Sequence, residues 1–424
     1  MMKFSKWIYI VLVALVAIPS CTSTTKLSST NLASIYNWSD EKFNPQYIVY
    51  HDNDSSSSLY FRFNSEELTY RMTDATKPAE AKIKINYTLY DSFESEIIKD
   101  SLTSYLIENS SANDPNYITG RIDIKVKRDQ RYVLRIITAD IYGGKESEQF
   151  INVTKLDLLT RQNYLVTDTS GTPIFGSYIN QSQEVLVHFN HIRFKELEIR
   201  GYNREFKLAP PPFATYTPKP FLYEAENISY AKLTNGIAKI TMPANGFIHL
   251  IADKDSRKGI TLYTYPEHFP AFGTNERMIE PLRYITSKKE YQELTENPEL
   301  KRALDQFWIE NATNPERAKE LIKHFYNRIE YANIYFSSFD EGWRTDRGMA
   351  YLIFGPPNAI YKTSSAESWV YGEDNNYMSV NFVFSKVINP FSDNDYRLNR
   401  SSIYKSHWYR AVDSWRQGRV FLNN

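Results

Sequence analysis

Hydrophobic and polar positions alternate with a period of two through much of this chain, and the rhythm changes after about residue 263. In the first stretch Ala81, Ile83, Ile85, Tyr87 and Leu89 are interleaved with Lys82, Lys84, Asn86, Thr88 and Tyr90. Further on, Ile122, Ile124 and Val126 are interleaved with Asp123, Lys125 and Lys127. Successive side chains of a strand point to opposite faces, so both runs predict half-buried strands. Strands are also expected at residues 59–63, 132–137 and 149–153, with Gly143-Gly144 turning the chain between the last two. With no helical stretch among them, these runs predict an antiparallel, immunoglobulin-like β-sandwich over residues 41–156.

A second β-sandwich is predicted over residues 157–272, with strands at 184–189, 195–200, 221–224, 237–242, 247–252 and 260–263. Pro210-Pro211-Pro212, with Pro218 and Pro220, rules out a central strand there and reads as a stiff connecting loop.

Beyond this point the apolar spacing becomes helical. Ser287 is placed to cap a short helix, and Leu300, Leu304, Phe307 and Trp308 mark one face of a second. Thr313-Asn314-Pro315-Glu316 reads as a helix start, followed by an apolar stripe through Leu321, Ile322, Phe325 and Ile329 to Ala332. Gly342-Trp343-Arg344-Thr345-Asp346-Arg347-Gly348 reads as a tight turn. The next apolar residues, 350–354, are expected to form a strand stopped by Gly355-Pro356-Pro357-Asn358. Strands at 368–371 and 379–384 complete the sheet, and a last helix spans 402–416, so residues 273–424 are expected to be α+β.

This order of motifs, GWRTDRG, YLIFGPPN, ESWVY and the closing VDSWRQGRV, resembles the GWxTD domain family of Bacteroidota envelope proteins. The resemblance covers roughly the last third of the chain. It implies an envelope location and an architecture, without a reaction.

The start of the chain fits that location. Two lysines precede a twelve-residue apolar run, residues 7–18, which suits a signal peptide and is too short to span a bilayer. Ile18-Pro19-Ser20-Cys21 follows, close to a lipobox. Cys21 is the sole cysteine of 424 residues, so no internal disulfide is possible and lipid attachment is its expected role. Residues 1–20 are then the signal peptide and 21–40 a flexible tether rich in Ser and Thr. The tether lacks the acidic cluster common in surface-exposed lipoproteins of the phylum, which implies an outer-membrane position facing the periplasm.

Without residues 1–20 the chain carries two more acids than bases, which excludes electrostatic steering towards nucleic acid. Aromatic residues make up 15% of the chain, a composition suited to β-sheets and interfaces.

Candidate chemistry is sparse. Asp340, Glu341, Asp346, Glu367, Glu373 and Asp374 are acids in or near the motif, and a pair on either side of a sugar would run acid/base hydrolysis. A turn-capping Asp346 paired with Arg344 or Arg347, beside an anchoring Trp343, is the simpler reading. Of the histidines only His188 and His191 are close in sequence, and no HExxH-like element accompanies them, so neither metal nor cofactor is expected. There is no G-x-S-x-G elbow, P-loop or G-x-G-x-x-G. Trp343, Trp369, Trp408 and Trp415 are expected in a core. Gly342, Trp343, Thr345, Asp346, Arg347, Gly348, Gly355, Pro356, Pro357 and Trp369 are the candidate motif and interaction residues. The functional expectation is a non-enzymatic accessory lipoprotein that binds an envelope protein partner in assembly or secretion. The alternative is a glycan-binding or glycan-cleaving protein in which Asp346 and Glu367 face a cleft.

Overall fold

The computed structural model describes residues 26–36, 43–73, 78–110, 116–189, 191, 193–215, 221–312, 314–373, 376 and 379–421. The expected signal segment, Cys21, Pro218, Pro220, Thr313 and Asp374 lie outside them.

The first β-rich region contains β1 (Gln46–His51), β2 (Ser57–Asn64), β3 (Glu80–Tyr90), β4 (Ile98–Asn109), β5 (Tyr117–Ile124), β6 (Gln130–Asp140) and β7 (Lys145–Lys155). They form two antiparallel sheets, ordered β1-β2-β5 and β4-β3-β6-β7. The alternation read in β3 is the burial pattern observed: Ala81, Ile83, Ile85, Tyr87 and Leu89 are buried and share one apolar cluster with Leu59, Phe61 and Phe63 of β2. Strand β4 was not foreseen, because it is an edge strand with Leu102, Tyr105 and Ile107 exposed and has no clean apolar face.

The second region contains β8 (Leu165–Thr167), β9 (Glu184–His188), β10 (Glu196–Tyr202), β11 (Asn227–Lys232), β12 (Ile237–Thr241), β13 (Gly246–Ile251) and β14 (Ile260–Thr264), in antiparallel sheets ordered β11-β10-β13-β14 and β12-β9-β8. The strand expected at 221–224 does not form. Its carbonyls are taken by side chains instead: Tyr202 Oη donates to Tyr223 O at 2.8 Å and Arg204 Nη1 to Leu222 O at 2.6 Å.

The third region opens with α1 (Asn275–Ile279), α2 (Lys288–Thr295), α3 (Leu300–Asn311) and α4 (Pro315–Phe336). Ser287 and Glu290 form a capping box on α2, and Asn314 caps α4 with Pro315 as its first residue, as the sequence implies. The stripe on α4 buries Ala318, Leu321, Phe325, Ile329, Ala332 and Phe336.

The expected strand at 350–354 is instead part of α5 (Asp346–Phe354), all nine residues of which are buried. A fully buried helix is apolar on every side, and a short apolar run carries no period to separate it from a buried strand. What selects the helix is end chemistry. The Thr345 hydroxyl accepts from Gly348 N, and Gly355 ends the helix at a φ of 84°. The four-stranded antiparallel sheet is therefore β15 (Ala359–Lys362), β16 (Ala366–Tyr371), β17 (Val380–Lys386) and β18 (Tyr396–Leu398), in that order, followed by α6 (Lys405–Arg416). Trp343, Trp369, Trp408 and Trp415 all join the core between helices and sheet, as expected.

The predicted flexible tether is corrected in its described part. Residues 27–36 form two short 3₁₀ turns with Leu27, Leu32 and Tyr36 buried. Ser28 N donates to Phe93 O at 2.9 Å on the first region, and Leu32 N to Ile360 O at 2.8 Å on β15. The Asn31 side chain extends that pairing, donating to Asn358 O and accepting from Ile360 N. Composition predicted a loose linker; the apolar side chains spaced along it make it a strap. Leu32→Ala should lower stability by roughly 2–4 kcal/mol, because Leu32 is 1% exposed. Chemical denaturation of the wild type and variant measures this.

Candidate functional site

The two glycines of GWRTDRG are required for space. A Cβ on Gly348 would sit 1.8 Å from Gly342 O, and one on Gly342 would sit 1.9 Å from Ala332 O. The turn containing Trp343 is thus pressed between the end of α4 and the start of α5. Trp343 is 0% exposed, and its Nε1 donates to Glu341 Oε2 at 3.2 Å.

Each charged residue of the motif has a long-range partner, and for Asp346 it is not the one expected. Asp346 pairs with neither Arg344 nor Arg347. Its carboxylate accepts from Arg400 Nη1 at 3.0 Å and Nη2 at 2.5 Å, and from Leu398 N at 2.8 Å. The helix cap next to it is Thr345, which leaves Asp346 free to form this fork. Arg344 reaches Glu280 at 3.1 Å and Asp340 at 3.3 Å. Glu341 pairs with Arg277. Burial pushes the Asp340 carboxyl up to about 7 against the pull of Arg344. The proline loop closes over the same turn: Ala209 N donates to Arg344 O at 3.0 Å, and Arg400 Nη2 to Pro210 O at 3.0 Å. Pro210-Pro211-Pro212 is therefore an internal contact of the motif.

Arg347 enters the core. It is 1% exposed and lies 3.1 Å from Glu367 Oε1; Glu367, on β16, is 0% exposed. The same carboxylate accepts from Lys362 Nζ at 2.8 Å, Trp369 Nε1 at 3.1 Å and Tyr36 Oη at 3.1 Å. Burial alone would raise the Glu367 carboxyl, but Lys362 and Arg347, with the hydrogen bonds from Lys362 and Trp369, hold it at about 2. Arg347 also donates to Asn394 O at 2.9 Å. Nothing in the sequence joined Tyr36, Lys362, Asn394 and Arg400 to the motif. Tyr36 alone carried a signal, as part of an Ile-Tyr pair in a polar tract.

This cluster forms the floor of a cleft of about 740 Å3 where the three regions meet. Tyr36, Lys362, Glu367, Asn394 and Tyr396 line it from below, and Tyr178, Phe269 and Tyr335 from one side. Strand β7 lines it too, through residues 146–150 and 152. Its size is in the range of small-ligand sites. Asp346 does not line it, so the structure does not bring Asp346 and Glu367 together across the opening. Gly355 accommodates Arg328 and is buried, as is Pro357, whereas Pro356 is exposed. His188 Nε2 lies 3.0 Å from Thr167 Oγ1, and the His191 ring packs on Phe189, so the two histidines do not converge on one point.

Two outcomes are expected at this site. Gly348→Ala should destabilise by about 3 kcal/mol or prevent folding, since backbone would have to move. Glu367→Gln should cost about 3–5 kcal/mol near neutral pH by leaving Arg347 and Lys362 uncompensated. The Glu367 carboxyl sits below its ordinary 4.5 in the folded chain, so its contribution is complete above that pH and is lost as pH falls towards about 2. The stability gap between the wild type and Glu367→Gln should narrow over that window in acid titrations followed by circular dichroism.

No curated protein matches this chain. The motif, Lys362, Glu367, Asn394 and Arg400, and the sheet beneath them fall within one stretch, and that stretch, residues 246–417, matches the GWxTD domain; Tyr36 and the proline loop join it from outside that stretch.

Proposed function

We propose that this protein is a lipid-anchored outer-membrane lipoprotein of Bacteroidota, attached through Cys21 and facing the periplasm. In this reading two immunoglobulin-like β-sandwiches and the GWxTD domain make up a non-enzymatic binding component of an envelope protein complex serving assembly or secretion. Among the described residues no helix is long and apolar enough to cross a membrane, which is compatible with a lipid anchor.

The observation that carries the binding role is the use made of the motif carboxylates. A general acid or base exchanges protons near the working pH and touches its substrate. Asp346 is forked to Arg400 away from the cleft, and Glu367 accepts from four donors and is held ionised. Glu367 and its donors fix the floor of a cleft whose walls are aromatic and polar, as ligand and partner sites are. The glycan-cleaving alternative needs both carboxylates on one opening, and this geometry favours it less.

The test is purification of the tagged full-length lipoprotein from its native membrane after light crosslinking, with mass spectrometry of what accompanies it. A stoichiometric outer-membrane or periplasmic protein is expected; recovery of the chain alone, or with glycan only, would refute the reading. In parallel, Asp346→Asn should lower stability by ~3 kcal/mol by stranding Arg400. It should remove no turnover of peptidoglycan or polysaccharide.

A further inference from the structure

Among the described residues strand β7 is the outer member of its sheet and pairs with β6 alone. In an antiparallel ladder each residue directs its N–H and C=O to one side, and successive residues alternate sides. The side that faces away from β6 is identified by Gln162. Its carboxamide donates to Asn152 O at 2.9 Å and accepts from Thr154 N at 2.8 Å, the pair of bonds that a neighbouring strand would make. Glu146, Glu148 and Phe150 have the same parity as Asn152 and Thr154. Their N–H and C=O groups therefore point away from β6 as well, and among the described residues no hydrogen-bond partner meets them. Where Gln162 stops, the edge continues along the cleft.

An open edge of this kind is a template for another strand, and long exposed edges are usually blunted. Charge bears on what fits. Three of the four acids that line the cleft are ion-paired: Glu148 with Arg135 at 2.6 Å, Asp393 with Arg161 at 3.0 Å, and Glu367 as above; Glu146 is the fourth and has no ion pair among the described residues. Two cations, Lys362 and Arg347, share the one Glu367 carboxylate, so with Glu146 these charges and their partners sum to zero, and a strongly charged ligand finds little net field here. Aromatic rings among the other lining residues, Tyr178, Phe269 and Tyr335, suit alternating apolar side chains.

We propose that the cleft takes an extended, uncharged segment of a partner polypeptide, which adds as a fifth strand to β7 through the main chain of residues 146–150. The proposal rests on the reading of the protein as a partner-binding component, and names the form in which the partner is held.

Glu146→Pro and Glu146→Ala in the full-length lipoprotein separate main-chain pairing from side-chain contact. Proline removes the outward N–H while leaving the bonds to β6, which residue 146 does not make; alanine keeps that N–H. In the crosslinked purification, Glu146→Ala should recover the partner as the wild type does. Glu146→Pro should recover roughly tenfold less, at an unchanged melting temperature. Equal recovery by both variants would overturn the strand pairing while leaving the partner-binding reading intact, whereas a wild type recovered alone would fail that reading itself. Should the proline variant not fold, hydrogen exchange on the purified wild-type complex decides: the Glu148 and Phe150 amides should slow at least tenfold on partner binding, and unchanged exchange would refute the proposal.

Discussion

A helix buried on all sides must have the polar groups at both its ends satisfied inside the protein, and much of the third region is arranged to do this for α5. An unmet backbone group in a dry core costs as much as a lost hydrogen bond or more. At the start, the Thr345 hydroxyl accepts from Gly348 N, and the close approach of Gly348 to Gly342 leaves no room for a side chain. At the end, Arg328 donates to Leu352 O and Ile353 O at 3.2 Å, and Trp415 Nε1 to Ile353 O at 3.1 Å. Those two side chains come from α4 and α6, so three helices are locked by one helix's carbonyls. Among the described residues no carboxylate pairs with Arg328. Burial lowers it to about 10, and it remains charged against the negative end of α5.

The same demand explains the ion pairs. Taking Arg347 and Glu367 out of water is expensive unless every remaining donor and acceptor is met, and four groups converge on the Glu367 carboxylate. One of these is Tyr36, more than three hundred positions away in the chain, which ties the N-terminal strap to the motif. Asp346 plays the corresponding part on the other side, joining α5 to β18 and, through Arg400, to the proline loop. The GWxTD motif thus works as a junction where the strap, the loop, the helices and the sheet are held in fixed relation.

That junction gives the cleft its character. A floor of mutually satisfied charges is rigid and close to neutral, so recognition there depends on shape, rings and the edge of β7 more than on net charge. A rigid floor also limits the ordering cost of holding a flexible segment. The motif contributes to binding by keeping its own ions in place.

Much of the secondary structure was legible because it rests on local rules. Strands with one buried face, such as β3 and β6, display their period directly; Ser287 and Asn314-Pro315 mark helix starts; and the motif order marks the GWxTD domain, which residues 246–417 match. Edge strands β4 and β11 were illegible because they lack a buried face, and α5 because a uniformly apolar run has no period. The site was half legible. Its motif residues stand together in the chain, but Tyr36, Lys362, Asn394 and Arg400 do not, and ordinary residues in unremarkable contexts become partners only when folding brings them to a buried charge. The sequence by itself determined the elements that carry a buried face or a clear cap, the motif and the absence of any internal disulfide. Only the tertiary structure decided where Asp346 and Glu367 find their counter-ions and which strand edge faces the cleft, because those depend on groups far apart in the chain meeting in a medium where none can remain unpaired.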